Sequence, residues 1–211
     1  FTRRYPLIEL DLRLNDRIVD LVAERVDVAL RVGPIRQAGL AARRVSQVNI
    51  VTCAAPAYLQ DHGEPRTPDE LREHKLVGLT SPSGAPPEWT FPPPYTPKRL
   101  GLKFSMLFNS AEAPIIAATA GLGIAHTGDL LVAEYVGRGE LKLILEDFVL
   151  PGPPISLVYP SAGHQLAKVR VFSDFAADLL LRWNEVVRRW IKQPSRPPNP
   201  VAAASSAPLV R

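Results

Sequence analysis

The stretch from Leu102 to Asp129 constrains this chain most. Leu102–Phe108 is an apolar-alternating run with the two-residue period of a strand. Asn109 and Ser110 follow, where a strand stops and a helix starts. Asn109 with Glu112 three residues on has the spacing of a capping box. Gly121 closes the helix, and Ile124–Thr127 then carries a second, buried strand to a polar tip at the same edge. A helix N-terminus offers free N–H groups and the positive end of a dipole, so it attracts a carboxylate or another anion. The stretch reads as one lip of a small-molecule cleft, with the facing lip near positions 15 and 33.

The chain before it supports an α/β reading. Phe1–Tyr5 looks like the last turn of a helix, ended by Pro6. Leu7–Leu14 alternates leucine or isoleucine with Glu9, Asp11 and Arg13, which predicts a strand. Asn15-Asp16 caps a helix expected over Arg17–Arg25, with Ile18, Val19, Leu21 and Val22 on its apolar stripe. Val28–Val32 is nearly continuous in apolar residues, the pattern of a parallel strand buried on both faces. Strand, helix and strand at this spacing make a βαβ unit. Leu40–Arg44 and Val48–Cys53 read as two further extended segments. Thr67-Pro68-Asp69-Glu70 is a helix start.

Residues 81–97 hold seven prolines and predict a loop around Trp89 and Phe91. Leu130–Tyr135 reads as a helix, and Leu141–Leu145 and Ile155–Tyr159 as strands. Lys168–Arg189 is a long amphipathic helix. Residues 193–211 are rich in Pro, Ala and Ser and read as a disordered tail. Breaks at 54–56 and 151–154 divide the chain into two lobes, one of them discontinuous. Residues 1–53 with 155–192 form the first lobe and 54–154 the second, joined by two crossing strands. Ligands of such sheets bind at domain interfaces and at strand carboxyl ends.

Composition narrows the function. With 46% hydrophobic and 22% charged residues, the chain is an ordinary globular one with a real core. A net charge of +4 with scattered basic residues argues against nucleic-acid binding by this segment itself. The single Cys53 excludes an internal disulfide. With no signal-peptide pattern at the start, it favours a reducing cytoplasm. The longest weakly polar run, Pro114–Ala125, is too short to span a bilayer, so no membrane partner is expected.

An enzyme reading finds little. There is no G-x-S-x-G, and the four histidines (62, 74, 126 and 164) have no zinc-ligand spacing. Neither a catalytic residue, a metal nor a cofactor is expected. Gly121-Leu122-Gly123 precedes a strand rather than following one, the reverse of a dinucleotide fingerprint.

Five segments carry a resemblance: 16–34 (DRIVDLVAERVDVALRVGP), 51–71 (VTCAAPAYLQDHGEPRTPDEL), 109–134 (NSAEAPIIAATAGLGIAHTGDLLVAE), 137–145 (GRGELKLIL) and 157–180 (LVYPSAGHQLAKVRVFSDFAADLL). In this order and spacing the chain resembles the C-terminal effector-binding domain of LysR-type transcriptional regulators. The resemblance implies a type 2 periplasmic-binding-protein-like fold, with two Rossmann-like subdomains, a two-strand hinge and a small effector in the cleft. It also implies a homodimer or tetramer whose DNA contacts come from an N-terminal winged helix-turn-helix. That segment and the first strand of the effector domain are expected to be missing here, leaving an N-terminally truncated domain. His126-Thr127-Gly128 stands where many relatives carry an apolar pair and Pro.

The candidate effector residues each have a plainer role beside the ligand role. Asn15 and Asp16 face the cleft in the family, yet capping alone explains both. Arg31 can grip an effector carboxylate bidentately or pair with a neighbouring acid. Gly33 and Pro34 allow backbone to approach a ligand. Asn109 and Ser110 lead the set, at the helix start. His126 and Thr127 complete it. A histidine at that tip would make binding pH-sensitive near neutrality.

Cys53 reads as a small buried hydrophobe, with a redox sensor as the alternative. The expected function is an effector-sensing regulatory domain. Its rivals are a free-standing solute-binding protein for transport, an enzyme on the same scaffold using Asp16, His126 or Asp129, and a truncated paralogue that only pairs with a complete regulator.

Overall fold

Two strands carry the chain between its units. In the computed structural model, which describes residues 1–15, 18–35, 37–81, 84–161 and 166–191, these are β2 (Leu40–Ala54) and β7 (Leu150–Pro160). Asp16, His164 and the tail 193–211 lie outside the described residues. One unit comprises Phe1–Val48 with Pro151–Val186. The other comprises Asn49–Leu150 and the chain from Val187 on.

In the first unit, β1 (Ala29–Val32) pairs antiparallel with β7, with Ala29 opposite Val158 and Val32 opposite Ile155. The adjoining part of β2 lies on the other side of β7. Leu21, Leu157, Val158 and Val169 are almost wholly buried. Each such aliphatic side chain contributes about 1.5–3 kcal/mol of burial. The first part of α5 (Ala167–Ile191) brings Phe172 and Phe175 against the Phe1 ring, with centroids 5.2 and 5.3 Å away.

This unit corrects the βαβ reading. Leu7–Leu14 is not a strand. Among the described residues no strand pairs with it, and Leu7, Leu12 and Leu14 stay 97%, 67% and 88% exposed. Alternation alone does not hold a strand that has no ladder partner. Nor is there a helix over the described part of 17–25. A single turn over 21–25 closes on Asp20, whose Oδ1 accepts from the N–H groups of Val22 and Ala23 at 2.9 and 3.1 Å. This N-cap starts the turn at Asp20 and not at Asn15-Asp16, the β-branched Val19, Val22 and Val26 give it little propensity to extend, and Arg25 at φ +54° ends it. The Val28–Val32 strand is present but antiparallel, with Leu30 and Val32 exposed rather than buried.

Two further boundaries move. The extended segments 40–44 and 48–53 are one continuous strand. The run Pro151–Pro154 is not a break but the start of β7, and Pro154 still accepts from the Gly33 N–H at 2.9 Å. Proline removes a strand's donor, not its acceptor.

The second unit is built on strands with a helix-covered face. From β2 the order is β5 (Ile124–Gly128), β3 (Leu76–Leu79) and β4 (Met106–Phe108), with β6 (Lys142–Ile144) also paired to β2. Strand residues alternate between two cores. Ala54, Leu76, Ile124 and Ile144 join α1 (Pro56–His62), the short α2 (Pro97–Leu100) and the buried Trp89 and Phe91 of the proline-rich loop. Val51, Cys53, Val77, Ala125 and Leu143 face α3 (Ala113–Thr119) and α4 (Asp129–Gly137). Thr67-Pro68 starts a 3₁₀ turn over Pro68–Glu73 rather than an α-helix.

Cys53 is fully buried, and burial pushes its thiol up to about 12. An aromatic disulfide reagent at pH 8 is therefore expected to leave the native thiol unlabelled and to label it promptly in denaturant. Rapid native labelling would revive the redox-sensor alternative.

Candidate functional site

Three parallel strands end at one edge of the second unit. Strand β3 pairs parallel with β4, Leu79 opposite Phe108, and parallel with β5, Leu76 opposite Ile124. Thr80-Ser81 and Asn109-Ser110 stand just past the ends of β3 and β4, and Thr127-Gly128 are the last residues of β5. This is the edge at which open α/β sheets receive ligands. Thr80 ties the β4 end in place, its N–H and Oγ1 both donating to the Phe108 carbonyl at 2.7 and 3.1 Å. Ser81 Oγ accepts from the Ala85 N–H at 3.1 Å and so folds the loop that follows back on itself.

Asn109 is exposed and Ser110 half-buried, but neither caps the helix. Helix α3 begins at Ala113, and its cap residue Glu112 makes no side-chain cap bond. Pro114 fixes this start, since proline suits the first helical turn and has no N–H to be capped. The expected Asn109–Glu112 capping box is absent for that reason, and the edge offers hydroxyl and amide side chains instead. The other end of α3 is as the glycine predicted. Gly121, at φ +75°, donates to Ala118 O, and Leu122 donates to Ala117 O.

His126 and Thr127 point to opposite faces. Thr127 shares the face of Ala125, and His126 lies on the other, half-buried and packed against Trp89 and Phe91 with ring centroids 5.0 and 4.7 Å away. Its Nδ1 is 2.9 Å from Thr52 Oγ1. Burial pushes its pKa down to about 4, opposed weakly by a contact with the Thr90 backbone. It is neutral near pH 7, so the expected pH-sensitivity of binding near neutrality is not supported by this histidine.

The remaining candidates belong to the first unit. Asn15 is exposed. The Arg31 guanidinium is taken up locally, donating to the Val19 carbonyl and, at 2.6 Å, to Gln37 Oε1. Gly33 has φ +113°, a conformation that glycine adopts freely, and Pro34 is exposed.

Two features escaped the sequence reading. Thr80 had a signal, the short apolar run Leu76–Leu79 ended by a polar pair. The Asn49–Asp129 pair had none, since 80 residues separate its members. Asp129 is 5% exposed, and its carboxylate accepts from Asn49 N (3.1 Å), Asn49 Nδ2 (2.7 Å) and Leu130 N (2.8 Å). Among the described residues no group of three or more His, Cys, Asp or Glu is placed to hold a metal, and no helix is long and apolar enough to cross a membrane.

A family model described as the LysR substrate binding domain matches residues 1–181. The chain belongs to this family. The HTH-type transcriptional regulator CrgA of Neisseria meningitidis serogroup C is 32% identical over 183 residues, which is 85% of this chain and 60% of that protein. The LysR domain here thus spans about three-fifths of that relative's length. The structure of the CrgA regulatory domain from Neisseria meningitidis matches with a TM-score of 0.70 at 27% identity, covering 85% of this chain and 87% of that one. The effector domain of AmpR from Pseudomonas aeruginosa shares the fold, with a TM-score of 0.68 at 19% identity over 91% of this chain and 89% of its own. The LysR domain accordingly has the type 2 periplasmic-binding-protein-like α/β fold. Its relatives are transcriptional regulators rather than enzymes.

Proposed function

We propose that this LysR domain senses a small anionic metabolite for a transcription regulator. The observation that carries the reading is the carboxyl edge of β3, β4 and β5, where Asn109, Ser110 and Thr127 bring neutral donors to the second unit's sheet edge. Hydroxyl and amide donors suit a carboxylate, whose oxygens accept several hydrogen bonds at once. Asn15, Asp16, Arg31, Gly33 and Pro34 are the ligand candidates of the first unit.

The mechanism is a population shift. An effector that binds one arrangement of the domain better moves the equilibrium towards it. A coupling of about 1–3 kcal/mol is enough to change expression several-fold. The readout would pass through a homodimer or tetramer to a winged helix-turn-helix outside this chain, in the cytoplasm. A transport role is not favoured, because the matched relatives are transcriptional regulators.

A thermal-shift screen of aromatic acids, dicarboxylates and amino acids tests this. At least one carboxylate is expected to raise the Tm, by mass action on the folded state. Ser110→Ala is expected to weaken that ligand about tenfold, the size of one good hydrogen bond to a charged group. A ligand that stabilises wild type and Ser110→Ala equally would place the site elsewhere.

A further inference from the structure

Asn49 is the first residue of the second unit, on strand β2 just past Val48. The β2–β5 ladder runs Cys53 to Ala125, Thr52 to His126, Val51 to Thr127 and Ile50 to Gly128. One step further in the same register, Asn49 faces Asp129. There the partner strand has already turned into α4, and Asp129 is its first residue. Its side chain continues the ladder in place of backbone. Oδ1 takes the Asn49 N–H, and Oδ2 takes the Asn49 amide. Oδ1 also takes the Leu130 N–H, which fixes the carboxylate to the helix start.

Helix capping alone explains the Leu130 bond but not the two bonds across to β2. Among the described residues no basic side chain forms an ion pair with this buried carboxylate, so the bonds to Asn49 and Leu130 are what offset its desolvation. A small cavity lined also by Val51, Leu143, Ile144 and Val149 opens beside the pair. Asp129 thus sits two residues after Thr127, at the proposed ligand edge, and grips β2 at its entry into the unit.

We propose that Asp129 is a positioning residue that couples the Thr127–Gly128 edge to strand β2 at Asn49. The coupling takes its functional meaning from the effector reading of that edge, but it exists or fails without a ligand.

The test therefore uses none. In ¹H–¹⁵N spectra of the chain, Thr127→Val is the perturbation, and the amides of residues 45–49 are the readout. In the wild-type background the perturbation is expected to reach those amides. Asp129→Asn removes the charge and one of the two acceptor oxygens and is expected to draw the shifts back towards β5 and α4. The swap Asn49→Asp with Asp129→Asn restores a donor–acceptor pair and is expected to restore the pattern. Asn49→Ala removes the bond from the exposed Asn49 amide to Asp129 and keeps the one from the Asn49 N–H. It is expected to weaken the pattern and carries the test should Asp129→Asn fail to fold. An unchanged pattern in Asn49→Ala, or a folded swap that does not restore it, would reduce Asp129 to a helix cap and overturn the proposal. A failed thermal-shift screen would instead count against the effector edge alone.

Discussion

Taking the protein from pH 7 to pH 4 is expected to remove about 3 kcal/mol of stability through His126 alone. The unfolded chain holds this imidazole at its ordinary 6.5, while the fold holds it at about 4. Between those values the unfolded state binds a proton that the folded state refuses. The stabilising difference is complete above pH 6.5 and is lost as the pH falls from there towards 4. Each pH unit across that window removes up to about 1.4 kcal/mol. The cause is local: the ring is walled by Trp89 and Phe91, and among the described residues its side-chain hydrogen-bond partner is the uncharged Thr52 hydroxyl.

Urea titrations at steps from pH 7.5 to 4.5 measure the effect, with His126→Gln as the control. Glutamine keeps a polar group near Thr52 but cannot titrate. Wild type is expected to lose stability more steeply than the variant below pH 6.5. Parallel curves would mean that the ring is reached by water or by a counter-charge. Loosening should begin in the proline-rich loop, because hydrating a charged His126 means opening its contact with Trp89 and Phe91.

Local chemistry explains which parts of the fold the sequence revealed. The long helix α5 was legible because its apolar stripe persists over many turns. Gly121 was legible because a helix stop needs a left-handed residue. The first unit was misread at Leu7–Leu14 and Arg17–Arg25. There the periodicities were correct as patterns, but strand pairing is a long-range fact and the Asp20 cap is a local one that displaces the expected start at Asn15-Asp16. The same limit governs the site. Asn109 and Ser110 do stand at a strand end, yet Pro114 moves the helix start away from them. Adjacent in sequence, His126 and Thr127 read as one polar tip, but strand alternation sends them to opposite faces.

Gly123→Ala is the substitution expected to cost most. A Cβ at this position would stand 2.5 Å from the Lys75 carbonyl oxygen and 3.0 Å from its carbon, both backbone atoms that no rotamer change can clear. The neighbouring Ile124 N–H donates to that same oxygen at 2.8 Å, and Ile124 is the first residue of β5 paired with β3. Alanine must therefore push the two strands apart where their ladder begins, at a cost of about 3 kcal/mol or more. Gly121→Ala sets the scale. Its φ of +75° makes alanine unfavourable, but no atom lies within 4 Å of the added carbon, so about 1 kcal/mol is expected. Urea midpoints of the two variants at one pH measure the difference, and equal losses would mean that β5 yields freely at its start. If it does not yield, the strain passes along five residues to Gly128 and the Asp129 carboxylate. A version of Gly123→Ala rescued for folding by osmolyte should then carry a displaced Thr127, and with it a weakened ligand, whereas Gly121→Ala should bind as wild type does.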